Sequence, residues 1–366
     1  MIKTVLIRLI CSLSILLIPA ISIHAEQSFP RGLFVSLIQD PPVLSSRQKM
    51  IQLVDSANKS GIKVLFVQVY RANQGCFPSR AVDSTLYREY SAVMSEDPLA
   101  FLIKQAHRFG IEVHAWLNLL SLSRNKDAHI LKEYGPSILT RNIAEKKAID
   151  DYKIDDQYFL EPGDPRVRRV LSDMLSELLL AYPDLDGVQF DYLRYPDRDP
   201  AYGYTKINIA RFKENTGVKQ IQESNPVWQD WKRSQVTELL YLLVKKTRQI
   251  RPQIKISVTG CMPYARAYYE AFQDWPLWLN DGMVDFVTIM SYSASPEEFA
   301  NWISSAKEKV RDFKKVNIGV GAYKLVSKPE LFEEESRICE RSSGGDCVIF
   351  HYGSLLENPV LWDALN

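Results

Sequence analysis

Apolar and polar positions along the chain alternate between two periods. Short runs dense in β-branched and aromatic residues predict strands at Arg31–Leu37, Lys63–Tyr70, Glu112–Leu120, Asp186–Pro196, Lys255–Cys261, Asp285–Tyr292, Val316–Tyr323 and Cys347–Tyr352. Segments of helical period separate them. Ser46 caps one that runs to about Ser60, with Met50, Leu53, Val54 and Ala57 on one face and Gly61 after it. Asp97-Pro98 opens a helix through Phe109, stopped by Gly110, and Asp164-Pro165 opens an amphipathic helix to Tyr182. Two helices are predicted over 205–251, split at Glu214–Gly217, then helical material over Trp275–Asp281 and helices over Pro296–Phe313 and Pro329–Cys339.

Strand, helix and strand in repeated succession signal βαβ units and a parallel sheet, and eight strands of this kind predict the α/β class with a (β/α)8 TIM barrel. Extended loops are expected after strands 3 and 4. The segment from Ser121 to Glu161 is long, charged and weakly periodic, which in a compact domain marks a functional or partly disordered loop. The final helix is weakly written, because Pro359 interrupts the last residues. An open doubly wound sheet would favour a Gly-x-Gly-x-x-Gly turn after the first strand, and none is present.

Composition narrows the function classes. With 45 basic and 44 acidic side chains in 366 residues, the chain has no electrostatic footprint for nucleic acid. Eighteen Tyr, fifteen Phe and seven Trp lean weakly toward a carbohydrate ligand. Lys3 and Arg8 flank or interrupt an apolar run from Val5 to Ile21, and Ile23-His24-Ala25 resembles a cleavage site. A signal peptide over 1–25 and a single barrel domain over 26–366 are therefore expected, in an exported protein, periplasmic or secreted, with cell-envelope association as one outcome. Four cysteines remain after Cys11. Cys339 and Cys347 enclose a short loop and form the favoured bridge, while Cys76 and Cys261 both follow strands and are expected near one another. No Cys-x-x-Cys or His-x-x-x-His pair suggests a metal, and no cofactor is implied.

In a barrel the chemistry lies just past the strand ends. Those positions supply Gln68, Tyr70 and Arg71; Trp116 and Asn118; Asp191, Tyr192 and Arg194; Met290 and Tyr292; Tyr323 and Lys324; and His351 and Tyr352. The set is poor in metal ligands and rich in hydrogen-bonding aromatics, and suits a neutral polyhydroxylated ligand. For each Tyr or Trp taken alone, core packing is the simpler account. Asp191 carries most weight: by strand alternation Gln189 and Asp191 point one way and Val188 and Phe190 the other, and Asp191 sits near the carboxyl end.

The runs Arg31–Val35, Phe66–Arg71, Phe77-Pro-Ser79, Asp97-Pro-Leu99, Gly110–Asn118, Pro162-Gly-Asp-Pro165, Asp186–Pro196 and Gly319–Lys324, in that order, resemble the bacterial glycosyl-hydrolase-like family ten. The resemblance implies a (β/α)8 barrel and an envelope or secreted enzyme acting on a polysaccharide, with peptidoglycan glycan strands among the substrate classes and Asp191 as the catalytic carboxylate. The chain departs from the family pattern at Tyr192, where another acidic residue often stands, and at Tyr158–Glu161. Asp186-Gly-x-x-x-Asp191 and Met290-Ser-Tyr292 are also similar to chitinase-type signatures, but the position of their catalytic glutamate holds Leu193, which disfavours substrate-assisted cleavage of that form.

Glycoside hydrolysis normally needs two carboxyl groups. Asp274 is favoured as the second, because Trp275 could desolvate it, with helix capping as the equally simple account. Glu161 comes next, ahead of Glu270 and Asp40; Asp164 is expected as a helix cap, and Asp186 and Asp285 lie at the far ends of their strands. A catalytically inactive glycan-binding barrel is the alternative function. A metal-dependent deacetylase lacks an evident ligand set.

Overall fold

The computed structural model describes residues 31–197, 200–342 and 344–365; the expected targeting segment 1–25 lies outside the described residues. Eight parallel strands form the barrel: β1 (Arg31–Val35), β2 (Ile62–Arg71), β3 (Glu112–Asn118), β4 (Gly187–Asp191), β5 (Lys255–Cys261), β6 (Phe286–Ser291), β7 (Val316–Val320) and β8 (Cys347–Ile349), with the two residues Gln74–Gly75 added antiparallel at the end of β2. Each pairs with the next in chain order, and β8 pairs back onto β1, which closes the barrel. This is the (β/α)8 barrel that the alternation of periods predicts.

The two faces of each strand go to different places. Leu33, Val35, Leu65, Val67, Val113, Ala115, Val188 and Phe190 pack outward under the helices in the main core. Phe34, Phe66, Trp116 and Val348 turn inward and form a separate cluster inside the barrel with Phe286 and Phe350. β4 to β6 also turn polar side chains inward: Gln189, Ser257 and Thr288 are all fully buried. Close approach also matters at Gly187, where a Cβ would lie 2.4 Å from His114 Nδ1, so only glycine leaves room for that ring.

Predicted and observed elements agree to within a few residues at most ends, and the differences lie mainly in the connections and at the end of the chain, among them an unforeseen short helix at Tyr264–Tyr269 and a helix from Pro296 that ends at Lys307 rather than Phe313. A helix at Thr85–Met94, in the β2–β3 connection, has no counterpart in the sequence reading. The loop after β3 is built, holding a helix at His129–Tyr134 and a two-stranded ribbon of Ser121–Ser123 with Tyr158–Phe159. The chain closes with two short helices, Tyr352–Glu357 and Val360–Asp363. Cys339 and Cys347 are bridged as expected, with Cα atoms 6.0 Å apart. The other two cysteines, expected near one another, are not bridged: Cys76 and Cys261 are both free and buried. No helix among the described residues is long and apolar enough to cross a membrane.

Candidate active site

At the carboxyl end of the strands the barrel opens into a cleft of about 640 Å³ with Asp191 in its lining. The strand registers bring the components together. Gln68 pairs with Trp116, Trp116 with Gln189, and Asn118 with Asp191; on the other side, Phe190 pairs with Val258, which sets Thr259 beside Asp191.

Asp191 is buried and serves as an acceptor on both oxygens. Trp116 Nε1 donates to Oδ2 at 2.9 Å, while Thr259 Oγ1 at 2.5 Å and the Tyr192 amide at 2.7 Å donate to Oδ1. The Arg194 guanidinium stands 3.6 Å from Oδ1 and lies over the Tyr192 ring at 4.2 Å. Tyr192 has φ = +51°, a left-handed conformation that costs a non-glycine residue about 1–2 kcal/mol. It turns the chain back sharply after β4, so that its own amide meets the preceding carboxylate.

The walls are aromatic. Phe34 and Phe350 pack against Trp116 with ring centroids 4.9 and 5.9 Å away, Tyr292 stacks on Phe350 at 4.9 Å, and Tyr323 meets Tyr292 edge-on at 5.8 Å. Two buried polar atoms of residues lining this space, Asn118 Oδ1 and Arg194 Nη1, have no hydrogen-bond partner among the described residues. Buried polar groups are rarely left so, and both are available to a ligand or water. Arg71 is held over the cleft by donation to Ser123 Oγ at 3.0 Å, and Lys324 by donation to the Tyr292 carbonyl at 2.7 Å.

Nine of the ten ligand-facing residues expected around Asp191 and in its own loop behave as one group: Gln68, Arg71, Trp116, Asn118, Asp191, Tyr192, Arg194, Tyr292 and Tyr323 all line the cleft. Tyr70 does not. The pairing of β2 with β3 slips between Gln68 and Tyr70, and this irregularity breaks the alternation that would have aimed both side chains inward. Tyr70 is fully buried in the outer core, and burial pushes its phenol up to about 12.

Neither expected second carboxyl group faces Asp191 in the cleft. Asp274 caps the helix Trp275–Asn280, accepting from the Leu277 amide at 3.3 Å and the Tyr264 hydroxyl at 2.9 Å. Its neighbour Gln273 is the residue that turns inward, and it ties Leu193 O and Thr259 O to the Cys261 amide behind the cleft. Glu161 is fully buried behind the β4 loop, where it accepts from the Tyr195 hydroxyl. Burial pushes its carboxyl up to about 7, against the lowering effect of that donor. Arg194 and Tyr195 thus split the loop: the first faces the cleft and the second anchors to Glu161. Asp164 caps a helix, and Asp186 and Asp285 bond backbone amides at the opposite end, as expected.

Reading strand ends missed Thr259, Cys261, Arg266 and Asp197, all of which line the cleft. The first two end β5, which the inventory of strand ends passed over. Asp197 lies one residue beyond the Asp186–Pro196 stretch; its carboxylate is 28% exposed and 3.6 Å from Arg266. The charged lining is therefore Arg71, Arg194, Arg266 and Lys324 against Asp191 and Asp197, an excess of two positive charges. This corrects the expectation of a site suited to a neutral ligand. Among the described residues no group of three His, Cys, Asp or Glu side chains is arranged to hold a metal ion. A cavity of about 560 Å³ at the other end of the barrel is crossed by the pairs Lys255–Glu112 and Arg248–Asp285, on the face that in barrels serves stability.

The structure is thus a closed (β/α)8 barrel with a buried aspartate at the carboxyl end of β4 and an aromatic cleft above it, an architecture that glycosidases among other enzymes use. The chain belongs to the family described as glycosyl hydrolase-like 10, which it matches over residues 31–333. It is 24% identical over 356 residues to glycosyl hydrolase DigH of Escherichia coli K12, covering 87% of this chain and 78% of that one. It is 25% identical over 310 residues to glycosyl hydrolase YngK of Bacillus subtilis 168, covering 77% of this chain and 57% of the relative. In three dimensions it resembles the catalytic domain of β-amylase from Paenibacillus polymyxa, with a TM-score of 0.55 at 11% identity over 90% of this chain and 93% of that one.

Proposed function

We propose that the protein is an exported glycoside hydrolase that cleaves an envelope or extracellular glycan by carboxylate chemistry, with Asp191 as nucleophile or base and Asp197 as the second carboxylate of the cleft. The observation that carries this reading is the seating of Asp191. It is a buried carboxylate with both oxygens fixed by donors, on the floor of a cleft with aromatic walls. Such preorganisation holds a reacting group in one geometry at no cost during the reaction. Asp197 is the other carboxylate in the lining, partly exposed and 3.6 Å from Arg266, so it is the second acidic group within the same cleft as Asp191. The aromatic faces suit the apolar faces of sugar rings, and the excess of guanidinium and ammonium groups suits sugars that bear carboxylates, as peptidoglycan glycan strands do. The Cys339–Cys347 bridge and the apolar N-terminal run support export.

The test is the release of reducing ends from peptidoglycan glycan strands and from other acidic and neutral polysaccharides. Asp191→Asn is expected to lower the rate at least about a thousandfold and Asp197→Asn by roughly 10²–10⁴-fold, both with the native melting temperature within a few degrees. A folded Asp191→Asn variant that keeps the parent rate overturns the proposal. Binding without turnover by either the parent or the variants assigns the barrel to glycan binding alone.

A further inference from the structure

The long insertion after β3 does more than cover the barrel. With the start of the helix Pro165–Ala181 and the segment 205–207 it forms a second concavity of about 400 Å³, and no residue of its lining also lines the Asp191 cleft. Tyr134 and Tyr152 supply half-buried phenol rings, with Leu139 and Ile207 between polar groups. The orientation of Tyr134 is fixed by the Arg166 and Arg169 guanidinium groups, 5.6 and 5.8 Å from its ring centroid.

The charged side chains of this lining are Arg141, Arg166 and Lys206, and it contains no carboxylate. Arg166 is neutralised by a two-point contact with Asp164, at 3.0 and 2.7 Å. The other two cations are not neutralised. Among the described residues Arg141 donates to the backbone carbonyls of Tyr204 and Ala144 and makes no ion pair, and Lys206 is exposed and makes none either. Two uncompensated cations beside two aromatic rings, in a concavity the size of a small ligand site, match a sugar ring that carries a carboxylate: C–H faces meet the phenols and the acid meets Arg141 and Lys206.

We propose that this concavity is a second, non-catalytic site for a carboxylate-bearing saccharide unit, which holds a distant part of the same polymer that enters the cleft. The proposal rests on the glycan reading of the barrel, though not on catalysis. Its consequence is avidity. A strand held at two points rebinds intramolecularly, which strengthens the capture of long chains without altering the bond-breaking step.

The experiment uses the full exported chain carrying Asp191→Asn, titrated with long peptide-free peptidoglycan glycan strands whose lactyl carboxylates are free. A second titration uses the same strands after their carboxylates are converted to amides. Lys206→Glu, a surface change at the first residue of a helix, and Tyr152→Ala are expected each to weaken binding of the free-acid strands about tenfold or more. Lys206→Glu should leave binding of the amidated strands unchanged, whereas Tyr152→Ala should weaken both, since the sugar faces survive amidation. In the Asp191 parent the same changes should raise KM and leave kcat unaltered. Equal affinity of both variants and the parent for the free-acid strands overturns the second site. Loss of binding in Lys206→Glu together with full activity of Asp191→Asn would instead overturn the catalytic reading and keep this one.

Discussion

Glu161 offers a sharp test, because its burial makes two separable demands. The carboxyl is fully buried, and burial raises it from 4.5 to about 7 in the folded chain. At acid pH, below 4.5, the group is protonated whether the chain is folded or not, and its contribution to stability is fully present. As the pH rises toward 7 the unfolded chain gives up its proton and the folded chain retains it, so the contribution shrinks. Above about 7 the folded chain must bury a charge. The interval corresponds to about 3 kcal/mol, lost between roughly pH 4.5 and 7.5. For a chain of this length that is roughly 4 °C in melting temperature. Glu161→Gln replaces the acid with a neutral isostere and should remove this component. Melting temperatures measured from pH 4.5 to 8.5 should therefore converge or cross, with the variant gaining on the parent by about 4 °C over the range. Reducing-end release by the variant should stay within about threefold of the parent at its optimum, since Glu161 lies behind the β4 loop and does not line the cleft. Parallel melting curves would refute the buried-acid reasoning. A fall of a hundredfold or more in rate with an unchanged melting temperature would return Glu161 to the catalytic role suggested by the sequence.

Three further outcomes follow from the same structure. Thr259→Val removes the 2.5 Å donor to Asp191 at nearly constant shape and should lower kcat at least about tenfold, at a stability cost of about 1.5–3 kcal/mol; an unchanged kcat would show that the aspartate needs no such support. Tyr70→Phe should leave both KM and kcat unchanged, because the ring is buried outside the cleft, and a raised KM would place it at the ligand after all. Glu335 is fully buried with neither carboxyl oxygen hydrogen-bonded among the described residues, and burial pushes it up to about 8. Glu335→Gln should therefore gain stability over the parent as the pH rises from 4.5 to 8, and a constant difference in melting temperature across that range would refute this.

The barrel itself was legible in the sequence because burial imposes a period. Val188 and Phe190 against Gln189 and Asp191 already declare an outer and an inner face, and Gly61, Gly110 and Gly282 mark helix ends by their positive φ. Asp191 was legible for the same reason: a carboxylate at an inward position at the end of a barrel strand can only meet the open end. The wall residues Trp116, Asn118, Tyr292 and Tyr323 followed from the same rule.

The partners of Asp191 were settled by tertiary structure. Asp274 and Gln273 are adjacent in sequence, and only the path of the chain after β5 decides that the amide turns inward and the acid caps a helix. Tyr70 and Gln68 share a strand parity, and a slip in the β2–β3 pairing separates them. Asp197 comes from a loop, where no periodicity constrains direction. The positive character of the cleft arises likewise from four loops and strand ends, Arg71, Arg194, Arg266 and Lys324, that are remote in sequence and brought together only when the barrel closes. Periodicity determines which way a side chain points within its own element. Which side chains then share a space depends on strand register and loop path, and those are fixed by contacts between residues far apart in the chain.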